Sequence, residues 1–164
     1  MTVAAVLLAA LKGKRSGGAG AIGFPYQPAK TFFSAAERSY LGVLDQALGA
    51  DYRVFGKVRV ADVALVKPGM TKSARQGALN RVAAKHFDFV VCNSSDLVVL
   101  CAIELNDKSH ASQRAQARDD LLVNVCKAIG LPLIQVPAKQ GYTPQEVRDR
   151  VLAAINPGAN VRLP

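Results

Sequence analysis

The sequence predicts a single α/β domain with a mixed central sheet of about four strands that is flanked by helices. Three observations support this fold class. A chain of 164 residues fits one domain, hydrophobic residues make up 50% of it and can form a substantial core, and helical and strand patterns alternate along it. We expect residues 24–164 to form this domain, after an apolar and basic tail with a Gly-rich linker over residues 1–23.

The first elements are indicated by a helix cap and by β-branched residues. Ser34-Ala-Ala-Glu37 is a capping box, which predicts a helix over about 35–48 that ends before Gly49. Residues 52–66 are rich in β-branched side chains and predict one strand or a bent pair of strands. A short basic helix is predicted after them, over about 73–84.

The centre of the chain carries its clearest strand pattern. Two apolar stretches, 87–92 and 97–105, flank the turn sequence Asn93-Ser-Ser-Asp96 and predict a β-hairpin. The remaining pattern predicts a helix over about 111–129, a strand over 133–136 and a last helix from the capping box Thr143-Pro-Gln-Glu146 to about residue 155.

The charge balance favours a polyanionic partner. Lys and Arg number 21 against 12 Asp and Glu, which gives a net charge of +9. Nucleic acid is the first partner class that such an excess indicates, and an anionic membrane surface is the second. Most of the excess falls within residues 53–85, where the expected nucleic-acid contacts are Lys72, Arg75, Arg81 and Lys85. The alternative is a solvated basic face.

The cysteines indicate a reducing compartment. Cys92, Cys101 and Cys126 are odd in number, lie within apolar stretches and form no Cys-x-x-Cys pair. We therefore expect reduced, buried thiols in a cytoplasmic protein, with neither disulfides nor a zinc site.

The amino-terminal tail leaves a membrane alternative open. Residues 3–11 are an apolar run that precedes Lys12, Lys14 and Arg15. A membrane-spanning helix needs about 20 apolar residues, and a signal peptide usually carries its positive charge before the apolar stretch. The tail is therefore expected to be a short helix or a frayed end. The alternatives are an anchor cut short by a misplaced start, or weak peripheral association with a membrane.

Asp88 and Glu104 are carboxylates inside apolar strands of the predicted hairpin. An unpaired buried charge costs several kcal/mol, so each acid needs a basic partner, a raised pKa or a bound cation. The alternative is a pair of acids at strand edges that meet surface Arg or Lys. The two acids lie on one face of the hairpin only if the numbers of residues opposite each other add up to an even sum. This is the case, for example, when Asp88 lies opposite Ala102 after a three-residue turn. A bulge could also restore the even sum.

The sequence around these acids resembles a known family. Four segments carry the resemblance: His86-Phe-Asp-Phe-Val-Val-Cys92, Ala102-Ile-Glu-Leu-Asn-Asp-Lys-Ser-His110, Arg118-Asp119 and Gly130-Leu-Pro-Leu-Ile134. Together they resemble the bacterial family of unknown function DUF2726, over about residues 24–155. The order of the acids is also similar to that of the PD-(D/E)xK superfamily, which has a restriction-endonuclease-like fold.

This resemblance implies a magnesium- or manganese-dependent nuclease, with DNA favoured over RNA as its substrate. Asp88 and Glu104 would be the metal ligands, with the backbone carbonyl of Leu105 as a third oxygen. Neither zinc nor an organic cofactor is expected. Glu37 matches the helical acid that many superfamily members place near the metal, although the capping box alone also explains it.

The sequence departs from the superfamily at the lysine that follows the Glu by two residues. Asn106 occupies that position, and Lys108 is the expected substitute. If the strand continued so far, Lys108 would lie on the same face as Asn106 and about 6.6 Å beyond it. His110 would orient a phosphate or a water, and Arg114 and Arg118 would meet phosphates from one helical face. The alternatives are a loop lysine and a histidine that merely contacts the next helix.

The leading hypothesis is therefore a metal-dependent nuclease. The first alternative is a nucleic-acid-binding module of the same fold in which catalysis is lost with the lysine. The second alternative is a membrane-peripheral protein that uses its amino-terminal tail. The sequence favours no oligomeric state.

Overall fold

A computed structural model describes residues 23–106, 113–137, 139 and 141–157, without the side chains of residues 113–116, 118 and 119. The strands are β1 (Tyr52–Arg59), β2 (His86–Asn93), β3 (Val99–Asn106) and β4 (Leu133–Pro137). The α-helices are α1 (Ala35–Leu48), α2 (Val60–Val63), α3 (Lys72–Val82), α4 (Gln113–Ile129) and α5 (Pro144–Ile155).

The chain divides into two units between Phe32 and Phe33. In the first unit, the described residues 23–32 are exposed and contain neither a helix nor a strand. All the elements above belong to the second unit. Among the described residues, no helix has both the length and the apolar character needed to cross a membrane.

The four strands form one mixed sheet in the order β1-β2-β3-β4. The pairs β1–β2 and β2–β3 are antiparallel, whereas β3 and β4 are parallel. Parallel neighbours need a long crossover, and α4 lies within the connection from β3 to β4. The predicted α/β class with a mixed four-stranded sheet is confirmed.

Alternate residues of β2 pack into two core clusters on opposite faces of the sheet. The first, called the α1–α5 cluster, contains Tyr40, Leu44, Phe89, Ile103 and Val151 among its buried residues. The second, called the α4 cluster, contains Val60, Val82, Val90, Leu122 and Cys126 among its own. Each large side chain buried in this way contributes about 1.5–3 kcal/mol to stability.

The sequence predictions hold for most elements and fail at one. Residues 52–66 were predicted as a strand or a bent pair, but the strand ends at Arg59 and the single turn α2 follows it. The amide of Val60 donates to the carbonyl of Lys85, 3.0 Å away, and its side chain is fully buried in the α4 cluster. This burial, which composition does not reveal, turns the chain away from the sheet. The three cysteines are free and buried, as predicted.

Candidate active site

Asp88 and Glu104 lie opposite each other near the open end of the β2–β3 hairpin. Phe89 pairs with Ile103, and one further step of this register brings the two acids together. Nearer the turn, Cys92 pairs with Val99, so β3 contains one extra residue, a bulge, between the two registers. The numbers of the opposed residues therefore have an even sum, as the prediction required, and the shared site itself stays a prediction.

The particular register predicted from the sequence is wrong. Ala102 pairs with Val90 and not with Asp88. The turn is also longer than the three residues expected, because the amide of Asn93 donates to the carbonyl of Val98 and leaves four residues between them. The bulge in β3 restores the parity that this longer turn would otherwise remove.

The two carboxylates bond to the backbone of the facing strand. Oε1 of Glu104 accepts the N–H of Asp88 at 3.1 Å, and Oδ2 of Asp88 accepts the N–H of Leu105 at 2.9 Å. Both residues are buried, with 4% of Asp88 and 3% of Glu104 exposed. Each carboxylate thus satisfies a buried amide, so its loss would leave that amide without its partner.

Lys57 on β1 supplies positive charge next to Asp88 and Glu37. Its Nζ forms a hydrogen bond and an ion pair with Oε1 of Glu37 and lies 3.8 Å from Oδ1 of Asp88. All three side chains are mostly buried, with 23%, 12% and 6% exposed for Lys57, Glu37 and Asp88. Lys57 belongs to the basic segment 53–85, and its sequence context indicated no role at the site.

Lys57 adopts a left-handed backbone conformation, with φ of 56°. It lies opposite Asp88, between the pairs Gly56–Phe89 and Val58–Phe87. Such a conformation costs a residue with a Cβ about 1–2 kcal/mol. Strand β2 is irregular at the same level. Phe87 packs in the α4 cluster but Phe89 in the α1–α5 cluster, so the alternation of side chains between the two faces of the sheet breaks at Asp88.

The ring of Phe33 covers this irregular part of β1. A Cβ at Gly56 would lie 2.3 Å from the ζ carbon of Phe33, so the strand has room for this ring only because residue 56 is a glycine. The ring also stacks on Phe89, with centroids 5.8 Å apart, and its centroid lies 5.9 Å from Nζ of Lys57. Aromatic packing therefore holds Lys57 toward Glu37 and Asp88.

Glu37 completes the capping box of α1 and also contacts Lys57, and its predicted place near a metal stays a prediction. Its Oε2 accepts the N–H of Ser34 at 2.8 Å, and the hydroxyl of Ser34 accepts the N–H of Glu37 at 3.2 Å, which completes the capping box. Its other oxygen binds Lys57. The cap fixes the first turn of α1, and this turn carries Glu37 to the site.

The electrostatics distinguish the acids. Burial raises the pKa of Asp88, and the charge of Glu37 adds to this, against the opposing effects of the Leu105 amide and Lys57. Burial acts in the same direction on Glu37, but Lys57 and the bonds with Ser34 lower its pKa below the usual value. Glu37 therefore keeps its charge more readily than Asp88. On the other face, burial together with the charge of Glu104 raises the pKa of Cys126 to about 11.

The structure leaves several predicted site residues untested. Lys108 and His110 lie outside the described residues, as do the side chains of Arg114 and Arg118, which belong to α4. Leu105 enters the site through its N–H, and the role of its carbonyl stays a prediction. Of the predicted nucleic-acid contacts, Lys72, Arg75 and Arg81 are exposed on α3, and Lys85 is half-buried just before β2.

The donor atoms at the site fit a hard divalent cation. Within the described ranges, no group of three or more His, Cys, Asp or Glu side chains is close enough together to hold a metal ion. Magnesium, however, is usually bound by one or two carboxylates together with waters and substrate phosphates. Asp88 and Glu104 supply two carboxylates from opposed strands, so the residues present fit this kind of site.

The fold and these side chains define a class: an α/β protein with opposed buried carboxylates and a lysine at the open end of a β-hairpin. The chain belongs to the family DUF2726, a protein family of unknown function, whose model matches residues 29–155. No curated protein and no solved structure matches the chain.

Proposed function

We propose that this chain is a magnesium- or manganese-dependent nuclease that hydrolyses DNA, on a restriction-endonuclease-like fold. The observation that carries the proposal is the opposition of Asp88 and Glu104, two buried acids, with Lys57 beside Asp88. Burial and the charge of Glu37 both act against ionised Asp88, so the fold holds this acid in an unfavourable environment. Acids kept in an unfavourable environment are typical of active sites.

Asp88 and Glu104 are the residues that would hold the cation. When bound, Mg²⁺ or Mn²⁺ supplies positive charge to the scissile phosphate and to the attacking water. The hydrogen bonds from the Asp88 and Leu105 amides fix one oxygen of each carboxylate and so orient the acids in advance.

Lys57 takes the role for which the sequence analysis proposed Lys108. Its ammonium lies 3.8 Å from Oδ1 of Asp88, and 23% of its side chain is exposed, so a phosphate can reach it from solvent. We assign Lys57 to stabilise the negative charge that develops on the phosphate, while Glu37 orients it through their ion pair. Asn106, at the end of β3, cannot supply this charge.

The exposed cations of α3 provide the contacts to the DNA backbone. Duplex binding loses about 0.9 log units of affinity per log unit of salt for each phosphate contact. Replacement of Lys72, Arg75 and Arg81 by Ala is therefore expected to flatten the salt dependence of binding. An unchanged slope would place the DNA-binding surface elsewhere.

The test of the function is nicking of supercoiled plasmid with Mg²⁺, with Mn²⁺ and with EDTA. We expect the parent to nick with either metal and Glu104→Gln to lose activity by about 10²-fold or more. Glu146→Gln is the matched control, because Glu146 lies half-buried on α5 and pairs with Lys139. Calorimetric titration with Mn²⁺ should show binding to the parent and to Glu146→Gln but not to Glu104→Gln.

A parent that binds DNA but never nicks it, whatever the metal, would contradict hydrolysis. This result would favour the binding module, the alternative that Asn106 suggests. Equal nicking by the parent and Glu104→Gln would place the activity outside this site.

A further inference from the structure

The first half of helix α3 is exposed. Every residue from Lys72 to Gly77 is exposed, and Val82 is the buried residue of this helix. A helix without an apolar stripe gains little stability from packing. The hydroxyl of Thr71 nevertheless caps it by accepting the N–H of Ala74 at 3.3 Å. The chain therefore maintains a polar helix on its surface.

One face of α3 carries polar side chains of the kind that can hydrogen-bond to base edges. Ser73, Gln76, Gly77 and Asn80 have the spacing of a single helical face, and with Lys72 they line a shallow surface cavity. The amide of Gln76 donates to Oδ1 of Asn80 at 2.8 Å. The remaining amide groups of this pair suit the donor and acceptor groups of adenine.

Gly77 is the unusual residue of this face. Glycine is among the least favourable residues inside a helix. A Cβ at this position would meet nothing within 4 Å, so the packing of the domain does not require a glycine. An absent side chain does, however, allow a partner to approach the helix backbone closely.

The charge around α3 complements a polyanion. Residues 67–85 contain five basic residues and no acid: Lys67, Lys72, Arg75, Arg81 and Lys85. The 11 residues of α3 extend over about 16 Å. The major groove of B-DNA, about 12 Å wide, admits an α-helix. The deep and narrow major groove of A-form RNA does not.

We propose that α3 lies in the major groove of duplex DNA, with Ser73, Gln76, Gly77 and Asn80 facing the base edges. The basic residues contact the phosphates on either side. Only residues 83–85 separate α3 from β2, so this contact lies near the strand end that carries Asp88. The inference rests on the proposed function for its choice of DNA as the ligand.

The experiment compares two glycine substitutions. Gly77→Ala and Gly42→Ala both place a methyl group on an exposed helical position with nothing within 4 Å. Both are expected to raise the Tm, by about 2–4 °C, because alanine favours the helix. Fluorescence anisotropy with a mixed-sequence DNA duplex in EDTA then measures binding without cleavage. Gly77→Ala should weaken binding about tenfold, and Gly42→Ala should leave it unchanged.

A second pair of variants tests the same face without a glycine. Gln76 on α3 and Gln145 on α5 each donate to an oxygen four residues later, at 2.8 Å. We expect Gln76→Ala to weaken duplex binding and Gln145→Ala to have no effect. An RNA duplex of the same sequence should bind the parent at least tenfold more weakly than the DNA duplex.

Two results would overturn the inference: equal DNA affinity of Gly77→Ala and Gly42→Ala, or equal affinity of the parent for the DNA and RNA duplexes. These outcomes are separate from those of the nicking assay. A parent that nicks DNA while Gly77→Ala binds normally keeps the proposed function and removes the role of α3. A parent that never nicks, together with loss of binding in Gly77→Ala, removes the proposed hydrolysis and keeps the role of α3.

Discussion

The two ends of the β2–β3 hairpin use the same chemistry in opposite environments. At the turn, Oδ1 of Asn93 accepts the N–H of Ser95, and Oδ1 of Asp96 accepts the N–H of Val98. At the open end, Glu104 and Asp88 accept the amides of Asp88 and Leu105. Side-chain oxygens replace backbone partners in both places.

The difference lies in sequence distance and burial. At the turn each bond spans two residues and is exposed, which is the ordinary role of Asn and Asp in turns. At the open end the bonds span 16 and 17 residues, and the acids are buried. The turn is satisfied locally, whereas the open end joins distant segments through two buried acids. Burial of Asp88 acts against its ionised form.

Each end also contains a residue with a left-handed backbone. Lys57 has φ of 56° beside Asp88, and Leu97 has φ of 59° in the turn. Leu97 is 54% exposed, so its conformation serves only to close the turn. Matched substitutions at these two positions, and at Asp88 and Asp96, test whether the ends differ in the way proposed.

The largest expected effect is on catalysis. Lys57→Met should lower metal-dependent nicking by about 10²–10³-fold, because one preorganised charge is removed. Leu97→Met, which also keeps a side chain on a left-handed residue, should cleave like the parent. Initial nicking rates at saturating Mg²⁺ measure both. If Lys108→Met loses activity while Lys57→Met retains it, the cation of the site is Lys108.

The next effect concerns the pH dependence of stability. The folded-state pKa of Asp88 is raised above its ordinary value of 3.8. The folded chain therefore retains this proton at pH values where the unfolded chain releases it. The resulting stabilisation is complete below pH 3.8 and is lost as the pH rises through the folded-state pKa.

Asp88→Asn has no carboxyl group that can release a proton, and its Oδ1 can still accept the N–H of Leu105. It should have a higher free energy of unfolding than the parent at neutral pH, with a smaller difference in acid. Urea unfolding across this pH range measures the difference. Asp96→Asn, at the exposed turn, should change the free energy of unfolding little. A parent that is more stable than Asp88→Asn at neutral pH would contradict the prediction.

The smallest effect concerns backbone conformation. Leu97→Gly removes a backbone strain of about 1–2 kcal/mol but increases the conformational entropy of the unfolded chain. It should therefore raise the free energy of unfolding by about 0.5 kcal/mol. Lys57→Gly gains the same relief but leaves Glu37 and Asp88 without their cation, and it should destabilise instead. Urea unfolding at neutral pH compares the two. Effects of the same sign would mean that the Lys57 ion pairs contribute little to stability.

Sequence reasoning succeeded where the signal is local. The cap at Ser34 fixes the start of α1, and Thr143 caps α5 by accepting the N–H of Glu146 at 3.2 Å. The strands around Asn93-Ser-Ser-Asp96 were also found, because apolar runs beside turn residues indicate a hairpin. Buried acids in those runs were sufficient to single out Asp88 and Glu104.

The parts that were missed depend on contacts distant in sequence. Residues 97–103 form an unbroken apolar run, so no polar residue indicated the bulge that sets the register. Lysine has no preference for a left-handed backbone, and the packing of Phe33 on Gly56 accounts for the position of Lys57. Gln135 lies in the predicted strand 133–136, and its exposed place beside Glu104 on the edge strand β4 depends on the pairing of β3 with β4.

The buried thiols provide a way to time the opening of each half of the core. Burial raises the pKa of Cys101 to about 12 and that of Cys126 to about 11, so almost no thiolate exists at neutral pH in the folded chain. An alkylating reagent therefore modifies these residues only when the surrounding structure opens. Cys101 lies in the α1–α5 cluster and Cys126 in the α4 cluster. Peptide mass spectrometry of the unmutated chain can therefore follow the two sheet faces separately and show which helical layer detaches first.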